Sequence, residues 1–341
     1  MRNTCAKNGA MIPLKTIPWQ SDAWTQALAD AITDPRALLA RLELDADNVD
    51  FAPDFPLRVP RSFVERMRMR DPSDPLLRQV LPITIERDSV PGYSSDPLGE
   101  EAATLAPGVI QKYRGRVLLI AAPACAVHCR YCFRRTFPYA DHQQAIAFPS
   151  LSAVERDPSI SEVILSGGDP LMLKDAPLRR LMARLDAIPH LRRVRIHTRL
   201  PVVIPERVTS ELIELVRDAR TSTSIVLHVN HPNEIAGSFI DALAALHRSG
   251  ITLLNQSVLL AGVNDDVDVL DELSQRLFDN HVLPYYLHLP DRVTGTHHFE
   301  VSQAKGLSLI AALRSRVSGY LVPRLVREVA GLDAKQIIAS T

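Results

Sequence analysis

Charge of one sign is the first thing this sequence lacks: 39 lysines and arginines are balanced by 39 aspartates and glutamates. A chain that lives on nucleic acid carries a basic excess, so the balance argues against such a partner. Long apolar runs are missing as well. The longest, residues 117–125, is far short of the roughly 20 residues that cross a bilayer. No basic-then-apolar N-terminal pattern resembles a signal peptide. The expectation is a cytoplasmic protein with neither a membrane nor a nucleic acid as partner. Hydrophobic residues at 46% and charged residues at 23% exclude disordered and fibrous classes. A chain of 341 residues has room for one large α/β domain with an extension, or for two domains.

Cysteine is scarce, and its placement is informative. Of four, Cys5 stands alone, while Cys125, Cys129 and Cys132 fall within eight positions. In a large intracellular chain such clustering points to metal or catalysis rather than to disulfides. Three thiolates are one short of a closed structural zinc site, and no second pair is present. A 4Fe–4S cluster held by three thiolates keeps one iron open to another ligand. The spacing therefore reads as a cluster with an open coordination site, and a zinc site or idle thiols as the alternatives.

Proline divides the chain, with twelve of 25 in the first 107 residues. There Ser21 is expected to cap a helix running to about Ala31. Residues 37–44 form a second apolar stretch, too short and too weakly periodic to assign, and loops are expected around Pro53, Pro56 and Pro60. Residues 58–70 hold five arginines interleaved with Val59, Phe63, Met67 and Met69, which reads as a surface helix. From Arg116 onward the pattern is regular. Strand-like runs begin at Val117, Glu162, Val194, Ser224, Thr252 and Leu283, mostly about 30 residues apart. Helix-like stretches fill 178–187, 210–220, 238–249 and 267–279, and a last one follows at 303–317. This alternation implies right-handed βαβ units and a parallel sheet. Six units are too few for a closed eight-fold barrel. Polar residues follow every strand, as when a barrel builds a site from several loops at one face. A partial (β/α)6 barrel is expected, in an α/β fold with an N-terminal helical and loop extension.

CAVHCRYC at 125–132 matches the CxxxCx(aromatic)C pattern of radical S-adenosylmethionine enzymes, with Tyr131 as the aromatic. Further matches are DPLGE at 96–100, KYRGRVLL at 112–119, CRYCFRR at 129–135, SGGDPL at 166–171 and HVNHPNE at 228–234. NQSVLL at 255–260, GVND at 262–265 and SGYLVP at 318–323 complete the set. From about Asp96 onward the chain resembles the lysine 2,3-aminomutase family. Within it, the resemblance is strongest to the branch that makes (R)-β-lysine for modifying translation elongation factor P.

The resemblance implies three cofactors. A 4Fe–4S cluster on Cys125, Cys129 and Cys132 would bind S-adenosylmethionine at its open iron and, once reduced, cleave it to a 5′-deoxyadenosyl radical. Tyr131, Gly167, Gly168, Asp169, His228 and Gln256 match positions around S-adenosylmethionine. Pyridoxal phosphate would sit as a Schiff base on Lys335, with Lys305 the alternative anchor. Tyr113 and Arg116 would line its pocket beside Lys112, and Arg116 would take the phosphate. Arg134 would clamp the substrate carboxylate, and Asp291 with Glu328 would hold the distant ammonium of L-lysine. A reductant such as flavodoxin or ferredoxin, elongation factor P and its lysyl-transferring ligase are the implied partners.

The chain also departs from the family pattern. Gly331-Leu332-Asp333-Ala334 replaces a glycine-rich run before Lys335, and Glu328 replaces the more usual aspartate. Asp266 occupies the position of a zinc-binding cysteine, so no zinc is expected. The expected organisation is an extension over 1–95, the barrel over 96–300 and a cofactor-lysine segment over 301–341. The alternative functions are the same cofactors acting on another amino acid, and a non-catalytic iron–sulfur or zinc-binding interaction module.

Overall fold

The structure is a computed structural model and describes residues 22–139 and 151–339. Its ten described strands form one sheet in chain order: β1 Thr104–Ala106, β2 Val109–Tyr113, β3 Arg116–Ala122, β4 Glu162–Gly167 and β5 Arg193–Thr198, then β6 Ser222–Leu227, β7 Thr252–Val258, β8 Leu283–His288, β9 Arg324–Arg327 and β10 Gln336–Ile337. Neighbours from β3 to β9 pair in parallel. The hairpin β1–β2 continues antiparallel into β3 at one edge, and β10 lies antiparallel on β9 at the other. A doubly wound sheet would reverse its strand order at a switch point. This order never reverses, and its first and last strands do not meet. The fold is an open, partial barrel.

The six expected strands are all present. The sheet has a seventh parallel strand, β9, that the alternation does not reveal. RLVR is only four residues long and is flanked by charge, yet Leu325 and Val326 in it are buried.

The parallel strands show why the site lies inside. In β4, β5 and β7 buried residues alternate with half-buried ones, as the two-residue period of a strand requires. Val163, Leu165, Val194, Ile196 and Leu253 face outward onto the helices. The intervening residues, among them Ser166, Arg195, His197, Gln256 and His288, line a central cavity. A closed eight-strand barrel fills its interior with branched apolar side chains. The polar inner face here belongs to a barrel that leaves room for ligands.

The helices follow their caps. α1 (Ala23–Ala29) occupies part of the expected first helix, whose cap Ser21 lies outside the described residues. α2 (Pro35–Leu42) makes the unassigned stretch 37–44 helical over most of its length. Asp34 accepts from the Arg36 N–H at 2.9 Å, Pro35 opens the first turn, and Leu38, Leu39 and Leu42 are buried. The surface helix expected over 58–70 is also corrected. Only α3 (Arg61–Val64) is helical, and Val59, Phe63, Val64 and Met67 are buried rather than exposed. α4 (Pro75–Arg78) is capped by Asp74, and α5 is Leu151–Arg156. α6 (Asp175–Asp186) crosses from β4 to β5. α7 (Leu200–Val203) and α8 (Ser210–Arg217) follow β5, and α9 (Ser238–Arg248) follows β6. α10 (Val267–Asp279) follows β7, capped by Asp266, and α11 (Gln303–Arg314) leads to β9. Trp24, Leu38, Phe63 and Leu77 share one apolar core with the outer face of the barrel.

Candidate active site

All fifteen residues singled out in the sequence line one cavity with about 1730 Å³ of unfilled space, part of it open to solvent. The cysteines sit in the loop after β3. The residues preceding the barrel hold this loop from outside. Arg58 O accepts from the His128 N–H at 2.9 Å, and Gln79 O accepts from the Arg130 N–H at 2.8 Å. The fully buried Arg130 guanidinium is clamped by Glu86 and donates to Phe55 O at 2.7 Å, while Arg135 joins Glu86 at 2.7 Å. From the barrel side the loop lies on the end of β4. Gly168 N–H donates to Ala122 O at 2.8 Å, and Asp169 N–H to Ala124 O at 2.9 Å.

That close approach explains the glycine pair. A Cβ on Gly167, whose φ is +115°, would sit 2.6 Å from Ala122 O, and one on Gly168 would sit 2.3 Å from Ala124 O. Their absence of side chain serves the seating of the cysteine loop as well as the open space above it. Asp169 lines the cavity, yet its carboxylate is taken up by the fold. It accepts from Thr198 Oγ1 at 2.7 Å and from the N–H groups of Arg199, Leu200 and Leu171 at 2.7, 2.9 and 3.0 Å. It clasps β4 to β5.

Burial pushes the Cys125 thiol well up and the Cys132 thiol up to about 11, with the neighbouring cysteines adding to the effect. Without a metal these thiols keep their protons, and cationic metal is what makes such thiols ligate as thiolates. Among the described residues no three Cys, His, Asp or Glu side chains converge on a single-ion position. Three cysteines lining one cavity, with no fourth ligand beside them among the described residues, fit a cluster with one open iron. Beside them Tyr131 stacks on His228, ring centroids 5.6 Å apart, and meets Phe299 edge-on. The buried Nε2 of His228 has no partner among the described residues, and burial holds its pKa well below the usual value. Gln256 reaches His197 at 3.4 Å.

From Arg134, two residues past Cys132, a chain of alternating charges runs along the cavity lining. Arg134 grips Glu100 through two bonds of 2.6 and 2.7 Å and turns its third nitrogen to Ser166 Oγ at 3.1 Å. Glu100 also meets Lys112 at 3.0 Å, Lys112 meets Glu328 at 2.6 Å, and Glu328 pairs with Lys335. Burial opposes ionisation of both glutamates, but Arg134 and Lys112 hold Glu100, and Lys335 and Lys112 hold Glu328, each down to about 2. Asp291 behaves in the opposite way. Burial, and then the charge of Glu328, push it up to about 7. Arg116 lies over the Tyr113 ring, 4.6 Å from its centre. Lys305 is outside this arrangement, half exposed and paired with Asp265.

Sequence reasoning brought these fifteen residues forward but missed the groups that hold them. Glu100 occupies the fork of Arg134, and Arg199 donates to Cys129 Sγ at 2.8 Å. Both lie in segments that carry the resemblance or follow a strand, DPLGE and HTR. Nothing in their spacing told a buried charge from a solvated one.

A model of the Radical SAM superfamily matches residues 119–273. Over a longer stretch the chain is 48% identical, across 319 residues, to the L-lysine 2,3-aminomutase of Escherichia coli K12, covering 92% of this chain and 93% of that one. It is 44% identical over 335 residues to the protein of that name from Haemophilus influenzae, covering 96% and 99%. It is also 44% identical over 319 residues to that of Buchnera aphidicola, covering 92% and 94%. No helix among the described residues is long and apolar enough to cross a membrane. Likeness at this level, along nearly the whole of both partners and through the cysteine loop itself, makes this chain a member of the L-lysine 2,3-aminomutase family, isomerases of the radical S-adenosylmethionine superfamily.

Proposed function

We propose that this protein converts L-lysine to (R)-β-lysine, using a 4Fe–4S cluster, S-adenosylmethionine and pyridoxal phosphate. One observation carries the reading. A single cavity is lined both by three clustered cysteines and by an amine, Lys335, set among Glu328, Asp291 and Lys112. When bound, the cluster with S-adenosylmethionine supplies a carbon-centred radical, and pyridoxal phosphate supplies the conjugated system on which an amino group can migrate.

The chain's own residues bind, orient and enclose. Cys125, Cys129 and Cys132 hold the cluster, and the Tyr131–His228 stack offers a flat wall and a free ring nitrogen for the nucleoside. Gly167, Gly168 and Gln256 border the same space. Lys335 anchors pyridoxal phosphate, and Arg116, braced on Tyr113, suits its phosphate because a guanidinium presents paired donors to phosphate oxygens. Glu328 and Asp291 receive the substrate's distant ammonium, Asp291 giving up its proton as that charge arrives. For Arg134 to clamp the substrate carboxylate, Glu100 must turn from it towards Lys112, which it already touches. Buried His197, His228 and His288 stay uncharged, His288 held down to about 3 by burial and by Lys335.

A low-potential one-electron donor such as flavodoxin or ferredoxin would supply the electron that the bound cluster needs. Resemblance to the elongation factor P branch supports delivery of the product to that factor by a lysyl-transferring ligase. The test of the anchor is chemical trapping. Pyridoxal phosphate is added, the adduct is reduced with borohydride, and the tagged peptide is identified. The reading predicts a tag on Lys335 that Lys335→Ala abolishes, whereas a tag on Lys305 or another lysine would contradict it.

A further inference from the structure

We infer that Arg199 tunes the reduction potential of the cluster by donating a charged hydrogen bond to the sulfur of Cys129, with Glu234 and Gln79 fixing it there. Arg199 follows β5 and is almost wholly buried. One terminal nitrogen donates to Cys129 Sγ at 2.8 Å and to the Tyr131 hydroxyl. The other donates to Gln79 Oε1 at 2.8 Å and to Glu234 Oε2 at 3.0 Å. Glu234 is itself fully buried, and its second oxygen accepts from Asn230 N–H, His231 N–H and Gln79 Nε2 at 3.0, 3.1 and 3.1 Å. Gln79 comes from the residues preceding the barrel, and its carbonyl also holds the cysteine loop.

A buried arginine needs a counterion, and Glu234 alone would serve. Here one terminal nitrogen is shared between a sulfur and the Tyr131 hydroxyl. A neutral thiol is a weak acceptor, whereas a metal-bound thiolate carries charge and makes this bond worth its place. Hydrogen bonds to ligating sulfurs and net charge around a cluster are what set its potential. One electron from a low-potential one-electron donor adds one negative charge to the cluster and its thiolates, with no bond formed or broken. A cation on Cys129 favours that reduced state, and Glu234 offsets it. Arg199 thus acts through Cys129 as a positioning residue.

The inference rests on the cluster reading, so iron is counted first. The full-length protein is reconstituted anaerobically, assayed for about four irons, and titrated with a graded reductant while the reduced cluster is followed by electron paramagnetic resonance. Arg199→Gln should lower the ratio of reduced to oxidised cluster about tenfold at the wild-type midpoint, a shift of about 59 mV to more negative potential for one electron. Glu234→Gln should move the potential the other way, which general loosening of the loop would not do. Arg199→Gln with full iron and an unchanged potential overturns the inference. If that variant loses its iron, Glu234→Gln decides alone: an upward shift upholds the inference, and no shift or a downward one overturns it. A wild-type protein that takes up no cluster refutes the cluster reading instead, and this inference with it.

Discussion

At the scale of single residues, two positions separate chemistry from packing. Asp291 ionises at about 7 where an ordinary aspartate has 3.8. The folded chain therefore binds this proton more tightly than the unfolded chain does. Its contribution to stability is complete below about pH 4 and is lost as pH rises through 7. Urea unfolding of the unliganded protein should show this loss between pH 4 and 8, and Asp291→Asn should flatten it. A substrate ammonium beside Asp291 reverses the preference, so lysine binding to the loaded enzyme near pH 6 should release a proton. Calorimetry in two buffers of different ionisation enthalpy measures that release, and Asp291→Asn should abolish it. Gly168 is the packing case. Gly168→Ala sets a methyl 2.3 Å from Ala124 O, and backbone cannot yield as a side-chain tip can. A loss of about 1–3 kcal/mol in stability and poor iron retention are expected, both readable on one purified variant.

Among elements, legibility followed length and period. The six strands from β3 to β8 and the helices that follow β6 and β7 could be read because each is a long apolar run or a sustained amphipathic face. The three cysteines stood out because metal ligation needs particular atoms at short spacing, and the fold brings all three to one cavity. β9 escaped since four residues carry no period, and α2 escaped since its signal was the cap at Asp34 rather than its apolar face. Residues 58–70 misled for a different reason: Arg66 turns inward to the carbonyl groups of Val202 and Glu234, so arginine did not mark a solvated face. Nor could spacing show that Glu100 would fill the fork of Arg134, because partners 34 residues apart meet only through the fold.

The cysteine loop and the segment carrying Glu328 and Lys335 are held by different elements and should fail separately. Arg130→Ala leaves Glu86 buried beside the cysteine loop without its closest cation, for an expected cost of about 3–5 kcal/mol. It should weaken iron retention while leaving borohydride trapping at Lys335 intact. Leu325→Ala, in the core of β9, should cost about 2–5 kcal/mol. It should weaken trapping, because β9 and β10 carry Glu328 and Lys335 to the cavity, and should spare iron. Urea midpoints, iron assays and peptide mapping on both variants check the pair.

At the scale of the whole molecule, the residues before the barrel belong to the site. Phe55, Arg58, Gln79 and Glu86 hold the cysteine loop, and Trp24, Phe63 and Leu77 enter the same apolar core as the barrel's outer face. An open barrel leaves its inner face free for ligands, and this collar steadies the loop of Cys125, Cys129 and Cys132. The cysteines and Lys335 line one cavity, so the most direct measurement asks for both products of one reaction together. The protein is reconstituted without oxygen, supplied with pyridoxal phosphate, S-adenosylmethionine, a strong reductant and labelled L-lysine, and sampled for β-lysine and 5′-deoxyadenosine. The account predicts labelled β-lysine in a reaction that needs S-adenosylmethionine, Cys132 and Lys335. Deoxyadenosine formed at full rate with no β-lysine would contradict it.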